Sequence, residues 1–534
     1  MNLAAAYLSA RAARRLRRRD PGHAAQQRIY RRLVSRLAAT SAGREAGIEA
    51  GMHPSVFRAR VPLRTYEAFS PYIDRMRRGE RDVLWPGSCS FFAISSGTAA
   101  GRQRHLPVTE DMLAHFRSAS LQSLLQYTAR AGHTGIFLGR HLLLGCPATL
   151  VPIGEAQPQA CFAGDLCGIA AVNFPGWAEK HYFEPGIEIA CMEDWQARLA
   201  AIAQRTLRRD ITLLASTPFW ALPLADAVRT LAARGKATAM HLKAVWPNLE
   251  CFVHGGAPLA PFGTQLRDAL GEGVEFHEVY PASEGFIAAQ DSEAVHGMRL
   301  LTASGLYFEF LAMDDFHAGA LQDLGGRAVP LEGVRAGVDY ALVLTTPAGL
   351  SRYLVGDVVR FISTDVPRLI VVGRTDLQLN AFGERVMERD VNDVLLAVCQ
   401  RHGWSAAGFH VAPHFSSRLT GQPRGSHEWW IELKVPTIET PTANVIGPEL
   451  DAELARISPA YAARRRAQQI EAPSVRLVMP GVFEEWMRKH GRWDGRKKLC
   501  RCRSDRLFAD ELTDLYRLYV GTRSPFSASP NPRE

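Results

Sequence analysis

The sequence predicts an α/β protein with a large N-terminal domain and a smaller α+β C-terminal domain. Short apolar runs alternate with helical patterns over most of the chain, which is typical of strands covered by helices. At 534 residues the chain is longer than a single core usually becomes, so we expect two or three domains. We place the boundary where Gly373–Asp376 follows an apolar run directly, which gives predicted domains at residues 1–375 and 376–534.

The predicted large domain begins with a helical pattern at residues 20–46, followed by short helices and loops at 56–84. The apolar run Phe91–Ile94 predicts a strand. Thr109 can cap the next helix, at 112–127, because its first turn carries Glu110 and Asp111, which a helix N-terminus favours. Further strands are predicted at 135–146, 211–215, 249–253, 340–345 and 369–372, with helices at 193–204 and 222–234.

The predicted small domain mixes its elements in another order. A helix at 389–402 precedes strand-like segments at 407–412 and 429–435, and helices follow at 448–469 and after Asp505. About 150 residues is a normal domain size. The last residues, 522–534, are rich in Pro and Ser, and we expect them to be frayed.

The net charge of +9 is partly local, since Lys and Arg concentrate at Arg11–Arg19 and Arg488–Arg506. The first cluster fits an organellar presequence, a membrane-surface helix or a solvated helix face. The helical pattern continues through Gln26–Leu37 without a cleavage-like break, which favours the solvated face. No apolar run approaches the ~20 residues of a membrane span. Nine cysteines without a paired framework suit a reducing compartment, so we expect a cytoplasmic protein.

The segment Phe91–Pro107 has the composition of a phosphate-binding loop. Ser95, Ser96, Gly97 and Thr98 follow the predicted strand, and two arginines come shortly after them. Small residues let backbone N–H groups converge on an oxyanion, hydroxyls donate further hydrogen bonds, and guanidinium groups offset charge. The loop matches neither a P-loop nor a dinucleotide fingerprint. The alternative interpretation is a plain surface turn.

Two carboxylates also stand in unusual settings. Glu284 follows Tyr280 and Ser283 and is of the type that holds Mg²⁺, although Ser-Glu-Gly is also a common turn before a strand. Asp357 lies within an apolar strand-like run, where burial requires a donor pair. A ribose diol is such a pair, and the alternative is an ion pair with Arg352 or Arg374.

Two basic positions complete the candidate set. Arg374, at the predicted boundary, is placed to contact a sugar or phosphate, unless the segment is a simple βα loop. The pair Lys497–Lys498 lies in the basic run of the small domain, where a lysine can deliver a point charge to a phosphate or can simply be solvated.

Taken in order, these segments resemble a bacterial member of the auxin-responsive Gretchen Hagen family of acyl acid amido synthetases, in the superfamily of adenylate-forming ligases. The resemblance covers nearly the whole chain. It rests on the motifs VPLRTYEAFSPYIDRM, LWPG, SSGT, WPNLECFVHGG, YPASEG, YFEF, GLSRYLVGDVV, GRTDLQLNAFGERV and GRKKLCRCRSDR.

The resemblance implies a role for each candidate residue in binding ATP and Mg²⁺. Residues 95–98 would wrap the phosphates, Tyr280 would stack on adenine, and Gly255 and Gly256 would form the turn beside the adenine pocket. Ser283 belongs to the same nucleotide site, and Glu284 would hold Mg²⁺. The remaining roles are ribose binding for Asp357, a hinge near the ribose for Arg374, and contact with the α-phosphate for Lys498.

The chain departs from the family pattern at four positions: Ala99, Arg104, Ser351 and Cys500. Cys500 replaces a proline, which leaves Lys497 as an alternative to Lys498. The spacing to Ser504–Arg506 favours Lys498.

The implied activity is adenylation of a carboxylic acid, followed by acyl transfer to the amine of an amino acid. A coenzyme A ligase would share the first step and is the alternative enzyme. A basic protein that binds nucleic acid or membrane surfaces is the alternative outside enzymes, but it leaves the neutral Ser/Gly loop unexplained. We therefore expect small-molecule partners, no nucleic acid and no membrane span.

Overall fold

The computed structural model describes residues 2–16, 19–96, 103–153, 160–233, 240–257, 259, 262–417, 424–434, 442–490 and 499–522. The chain divides into two compact units, residues 1–371 and 372–534. The predicted α/β class, with a large N-terminal and a smaller C-terminal part, is confirmed. None of the helices in the described ranges has both the length and the apolar character that crossing a bilayer requires.

Fourteen helices lie in the described part of the first unit. They are α1 (Asn2–Leu16), α2 (His23–Leu37), α3 (Ser41–Glu45), α4 (Pro54–Arg60), α5 (Tyr66–Arg77), α6 (Glu110–Ala131), α7 (Leu166–Val172), α8 (Gly176–Tyr182), α9 (Ile187–Ala190), α10 (Trp195–Thr206), α11 (Pro218–Ala233), α12 (Leu242–Val245), α13 (Gly263–Leu270) and α14 (Met313–Ala318).

The strands of this unit form two sheets. They are β1 (Phe91–Ser96), β2 (Gln103–Val108), β3 (Arg140–Leu144), β4 (Val151–Ile153), β5 (Cys161–Gly164), β6 (Phe183–Glu184), β7 (Ile211–Ser216), β8 (Cys251–Gly255), β9 (Glu275–Ala282), β10 (Gly285–Gln290), β11 (Met298–Leu300), β12 (Tyr307–Ala312), β13 (Val329–Pro330), β14 (Asp339–Thr345), β15 (Tyr353–Ser363) and β16 (Arg368–Arg374).

The larger sheet has the order β13-β12-β14-β15-β16-β11-β10-β9-β8-β7-β3-β6, and the smaller one has the order β2-β1-β5-β4. Strands β6, β3, β7, β8 and β9 run parallel to one another. From β9 to β11 the pairing is antiparallel. The parallel strands therefore share one carboxyl edge, where loops commonly carry a binding site.

Helices cover both faces of the parallel strands because alternate residues point to opposite faces. Leu214 and Phe252 pack with residues of α10, α11 and α13 on one face. Their chain neighbours Leu213 and Cys251 pack with Tyr127 of α6 on the other face. Thr109 caps α6 as predicted, since its Oγ accepts a hydrogen bond from Met112 N at 3.2 Å.

The second unit has its own core around a three-stranded sheet, β19-β20-β21, with residues such as Leu395, Trp429 and Leu450 fully or almost fully buried. Its elements are β17 (Gln378–Leu379), β18 (Val386–Met387), α15 (Glu388–His402), β19 (Ser405–Ser417), β20 (Arg424–Lys434), α16 (Ala443–Ile457), α17 (Pro459–Arg466), β21 (Ser474–Leu477), α18 (Val482–Lys489) and α19 (Leu507–Thr522).

Two of the differences between predicted and observed elements have a clear local cause. The helix expected at 448–469 is two helices, because Pro459 has no N–H to continue α16 and Ser458 Oγ accepts from Tyr461 N as a new N-cap. The strand expected at 135–146 shortens to β3, since Gly135–Phe137 forms a 3₁₀ turn before it. The expected fraying at 522–534 falls almost wholly on residues 523–534, which lie outside the described residues.

Candidate functional site

The carboxyl end of β8 brings the chain into a tight turn. Gly255 pairs with Val279 in β9, and a Cβ added to Gly255 would lie 2.3 Å from the Val279 carbonyl oxygen. Gly256 follows with φ of 72°, a left-handed conformation that favours glycine. The backbone at this edge is therefore close-packed against β9, immediately beside Tyr280.

Ser283 and Glu284 form the two-residue connection between β9 and β10, in which Ala282 pairs with Gly285. The Glu284 carboxyl-bearing side chain is buried, with 8% of the residue exposed. A buried histidine of α6 fixes this hairpin, because His115 Nε2 accepts from Phe286 N at 2.9 Å while Nδ1 lies 2.7 Å from the Ser304 carbonyl oxygen.

His115 is neutral at physiological pH. Burial lowers its pKa to about 4, against the smaller opposing effect of the Ser304 hydrogen bond. Because Nε2 accepts a hydrogen bond from a backbone amide, the proton of the neutral ring resides on Nδ1. The ring is thus a fixed bridge between β10 and the Ser304 loop, and it holds the turn that carries Glu284.

Tyr280 and Asp357 meet although they are 77 residues apart. The Tyr280 hydroxyl donates a hydrogen bond of 2.6 Å to Asp357 Oδ2. Asp357 lies within a β-bulge, since Leu354 and Val358 of β15 are four residues apart where their partners in β14 are two apart. Gly356, in the same bulge, has φ of 92°. A bulge changes the direction of its side chains, and here the Asp357 carboxylate reaches Tyr280.

This hydrogen bond also shows that the large sheet is strongly curved. Strands β9 and β15 are separated by β10, β11 and β16. In a flat sheet four strand spacings would place them about 19 Å apart. The sheet therefore curls so that these strands face each other, which makes a concave surface lined by Tyr280 and Asp357.

The first predicted phosphate-loop residue joins the same region through β2. Ser95 is the register partner of Arg104, whose guanidinium lies 3.6 Å from Glu67 and over the ring of Tyr66. Arg104 also acts electrostatically on the phenol of Tyr353. Burial raises the pKa of Tyr353, and the nearby Glu284 carboxylate raises it further. Arg104 and Glu284 therefore both lie near Tyr353, and Ser95 is connected to this region through its pairing with Arg104.

Of the two arginines named as alternative partners of Asp357, Arg352 is excluded by its contacts. Its guanidinium is fully buried and makes two hydrogen bonds to the Glu309 carboxylate, at 3.0 and 3.1 Å. Its other N–H groups donate to the carbonyl oxygens of Arg58, Val61 and Gly325. All five donors of the guanidinium are used in this way.

The remaining predicted residues are placed as follows. Ser96 ends β1 and pairs with Gln103, whereas Gly97 and Thr98 lie outside the described residues, as do Lys497 and Lys498. Arg374 ends β16 in the second unit and forms an ion pair of 3.2 Å with Asp376. The first unit thus brings together Ser95, Gly255, Gly256, Tyr280, Ser283, Glu284 and Asp357.

Sequence reasoning missed two residues of this site. Tyr353 lies in the motif GLSRYLVGDVV, but the resemblance gives it no role. His115 is a lone histidine in a helix, and such a residue is usually a core residue whose hydrogen bonds are satisfied. The histidine has no local sequence signal, because its partners Phe286 and Ser304 are more than 170 residues away.

The donor set fits Mg²⁺ shared with a phosphate ligand. Mg²⁺ is usually held by one or two protein carboxylates together with substrate phosphates and water, and Glu284 offers one such carboxylate. Within the described ranges, no group of three or more His, Cys, Asp or Glu side chains is arranged to enclose a metal. Glu284 thus suits a metal that arrives with its nucleotide.

Models of one protein family match the chain along most of its length. The GH3 family N-terminal domain matches residues 18–144 and 127–275, the GH3 family central domain matches 299–374, and the GH3 family C-terminal domain matches 389–507.

Curated relatives carry amido synthetase names. An indole-3-acetic acid-amido synthetase, GH3.8 of Oryza sativa subsp. indica, is 27% identical over 504 residues, covering 81% of this chain and 80% of the relative. A jasmonoyl-L-amino acid synthetase, JAR6 of Nicotiana attenuata, is 23% identical and covers 65% of this chain and 68% of the relative.

Solved structures show the same fold. The acyl acid amido synthetase AtGH3.15 in complex with 2,4-DB superposes with a TM-score of 0.70 at 19% identity, covering 93% of this chain and 94% of that one. A 2-hydroxyisobutyryl-CoA ligase bound to 2-HIB-AMP has a TM-score of 0.58 at 15% identity, covering 93% and 91%. The chain therefore belongs to the GH3 family, whose matched curated relatives carry amido synthetase names.

Proposed function

We propose that this protein uses ATP to adenylate a carboxylic acid and then transfers the acyl group to the amine of an amino acid, forming an amide. The observation that carries the proposal is the hydrogen bond between Tyr280 and Asp357 of β15. Tyr280 lies in the β9–β10 hairpin, which also carries Glu284. The Tyr280–Asp357 contact supports the proposed roles of the Tyr280 ring at a base, of Asp357 at hydroxyl groups and of Glu284 at a metal.

In the first half-reaction a carboxylate oxygen of the acid attacks the α-phosphorus of ATP. The bond between the α-phosphorus and the bridging oxygen breaks, and pyrophosphate leaves with that electron pair. Tyr280 and Asp357 hold the adenosine, with the ring against adenine and the carboxylate accepting from the ribose hydroxyls. The turn at Gly255–Gly256 lies beside the base. Most of the rate comes from holding the two oxygens in line with phosphorus.

The phosphates are held by the segment that begins at Ser95, with Ser96, Gly97 and Thr98 donating hydrogen bonds. Glu284 would hold a Mg²⁺ ion, which would offset charge on the phosphate oxygens, and Ser283 lies beside it in the turn. Lys498, or Lys497 in its place, offsets charge at the α-phosphate. Arg104 adds a guanidinium beside Ser95, which supports this assignment.

In the second half-reaction the amine attacks the carbonyl carbon of the acyl adenylate. The amide bond forms, AMP leaves with the oxygen that came from the acid, and the amine loses a proton. We propose that the small domain, beginning at residue 376, rotates about Gly373–Asp376 between the two steps, with Arg374 at this hinge.

The acid is apolar or aromatic in this proposal. The segment Leu213–Trp220 and the helix Phe116–Tyr127 would line its pocket. Their packing supports this, because Leu213 of β7 and Tyr127 of α6 belong to one buried cluster on the same face of the sheet. An aryl or alkyl group suits such a lining.

The test of the first half-reaction is ATP–pyrophosphate exchange with a panel of carboxylic acids. We expect exchange that depends on an aromatic or alkyl acid and on Mg²⁺. Absence of exchange with every acid of the panel would contradict the proposal.

A coenzyme A ligase is the second candidate, favoured by the fold shared with the 2-hydroxyisobutyryl-CoA ligase. The two functions separate in the second half-reaction. Once an acid that supports exchange is known, mixed amino acids or coenzyme A are added and AMP release is followed. Acceleration by amino acids supports the amido synthetase, whereas acceleration by coenzyme A alone supports the thioester ligase.

A further inference from the structure

A cavity lies at the amino edge of the parallel strands, opposite the carboxyl edge that carries Gly255. It has a volume of about 410 Å³ and is lined by Arg140, Glu179, Lys180, Phe183, Arg205 and Arg209, together with two glycines. Arg140 and Phe183 are the first residues of β3 and β6, and Arg209 stands two residues before β7. The cavity is therefore at the amino edge, whereas Gly255 and the Ser283–Glu284 turn are at the carboxyl edge.

Glu184 forms the buried floor beside this cavity, and three arginines surround it. Its carboxylate is fully buried and lies 2.6 Å from Arg140 Nε, 2.5 Å from Arg205 Nε and 3.2 Å from Arg209 Nε. A buried carboxylate needs compensation by positive charge and hydrogen bonds. One guanidinium would neutralise the carboxylate, so three leave an excess of two positive charges around it.

Arg140 is the guanidinium that completes the structural role. Its Nη atoms donate to the carbonyl oxygens of Lys180, His181 and Phe183, which ties α8 and β6 to β3. Arg205 and Arg209 are different, since within the described ranges each contacts only Glu184, through Nε. Their Nη groups have no acceptor there, and the two side chains are 34% and 45% exposed.

The cavity therefore has an excess of positive charge and of directed donors. Four cationic side chains, at 140, 180, 205 and 209, face two acidic ones, Glu179 and Glu184, which leaves an excess of two positive charges. Phe183 is the one aromatic residue among those that line it. A cavity this size accommodates a small metabolite, but its lining offers little apolar surface for one.

We propose that this cavity binds a multiply charged phosphate anion, such as a pyrophosphate group, between the Nη groups of Arg205 and Arg209 and the ammonium of Lys180. The planar guanidinium presents two parallel N–H donors that match phosphate oxygens, and two such groups held by one carboxylate are already oriented. This site is separate from the adenylation site and does not depend on the proposed function.

The experiment is a calorimetric titration of the full-length protein with inorganic pyrophosphate, at constant ionic strength and without Mg²⁺. Saturating AMP is present throughout to fill the nucleoside and α-phosphate positions of the nucleotide site, and the omission of Mg²⁺ disfavours pyrophosphate at the positions of the leaving phosphates. We expect one binding event that Arg209→Gln and Lys180→Glu each weaken about tenfold or more, the loss expected for a charged hydrogen bond. Lys180→Glu changes an exposed side chain that does not contact Glu184, so it remains informative if Arg209→Gln is unstable.

Arg208→Gln is the matched control, because this exposed arginine is next in the chain but does not line the cavity. Its affinity should equal that of the unmodified protein. Equal weakening by Arg208→Gln and Arg209→Gln, or no binding of pyrophosphate at all, would overturn the proposal. The affinity for citrate, a polycarboxylate, is compared with the affinity for pyrophosphate. If citrate binds as tightly as pyrophosphate, the assignment to phosphate is overturned.

Discussion

The two edges of the parallel strands carry opposite chemistry. At the carboxyl edge, Tyr280 and Glu284 lie near Asp357 and Tyr353 of β15, and a neutral buried histidine fixes the turn that carries Glu284. The amino edge presents arginines around one buried carboxylate, Glu184. The first set suits a ligand that brings a metal and hydroxyl groups, and the second suits an anion alone.

The two edges hold their polar side chains in place by different means. At the carboxyl edge a two-residue hairpin turn, a bulge and the bridge through His115 set the positions of the side chains, so position depends on backbone geometry. At the amino edge one carboxylate orients three long side chains, so position depends on charge. Mutations should therefore affect the two edges independently, since distant sites without shared partners are usually additive.

The largest expected effect is the loss of adenylation in Glu284→Gln. The amide keeps the size of the side chain but cannot bind Mg²⁺ with a negative charge, so we expect acid-dependent pyrophosphate exchange to fall about 100- to 1,000-fold. The Mg²⁺ concentration required for half-maximal exchange should also rise. Glu67→Gln is the control, since this exposed carboxylate also lies near Arg104 but has no assigned role at the metal. A similar loss in both variants would contradict a metal role for Glu284.

The next effect concerns the Tyr280–Asp357 pair. Asp357→Asn should raise the KM for ATP about 10- to 100-fold, because a charged acceptor for the ribose is lost. Tyr280→Phe removes the hydroxyl that orients this carboxylate and should cost less. The double variant should lose less than the product of the single losses, since the two side chains share one hydrogen bond. Fully multiplicative losses would show that the residues act separately.

Thr375→Pro tests the proposed hinge. Proline fixes φ and removes an N–H within the turn where Leu377 N donates to the Arg374 carbonyl oxygen. We expect the losses in pyrophosphate exchange and in amide formation to differ by about tenfold. Equal losses in the two half-reactions would count against rotation at this segment.

His115→Phe should reduce stability more than activity. Phe286 N and the Ser304 carbonyl oxygen would both lose a buried partner, so we expect unfolding to become easier by about 2–4 kcal/mol. Activity should fall severalfold, because the Ser283–Glu284 turn is no longer fixed. Chemical denaturation and exchange assays at one temperature measure the two effects.

The same residue gives a pH dependence with a defined sign. The pKa of His115 is about 4 in the folded protein and 6.5 when unfolded, so the unfolded chain binds more protons between these values. Stability therefore falls as pH drops from 6.5 to 4, by at most about 1.4 kcal/mol per pH unit from this group. His115→Phe should show a shallower slope over this range. An identical slope in both proteins would mean that His115 does not titrate on unfolding.

The smallest effect is expected at the amino edge. Arg209→Gln should change acid-dependent pyrophosphate exchange by less than about twofold at low pyrophosphate, because Arg209 contacts Glu184 and no residue of the carboxyl edge. Arg208→Gln is again the control. A loss of tenfold or more in Arg209→Gln alone would show that the two edges are coupled.

Much of the fold was predictable because its elements have local causes. Thr109 with Glu110 and Asp111 specifies the start of α6, and the apolar run at 211–215 gives β7 almost to the residue. The errors also have local causes. Pro459 interrupts a helical pattern that periodicity alone extends across it, and the short strands β4, β6 and β13 are too brief to give a period of two.

The site was less predictable because its geometry depends on long-range contacts. Residue types at 280, 284 and 357 suggested the chemistry, but the hydrogen bond between Tyr280 and Asp357 depends on the curvature of a twelve-stranded sheet. The donors of Arg352 likewise go to Glu309 and three carbonyl groups that no sequence spacing connects. Glu184 and its arginines come from three separate segments, at 140, 184 and 205–209, and have no motif.

The most direct test of adenylation follows one oxygen atom. An acid that supports exchange is labelled with ¹⁸O in its carboxyl group and incubated with the protein, ATP, Mg²⁺ and the preferred amine, and the products are analysed by mass spectrometry. Attack of the carboxylate on the α-phosphorus predicts one labelled oxygen in AMP and none in pyrophosphate. Unlabelled AMP, with the label in a phosphate product instead, would contradict the account.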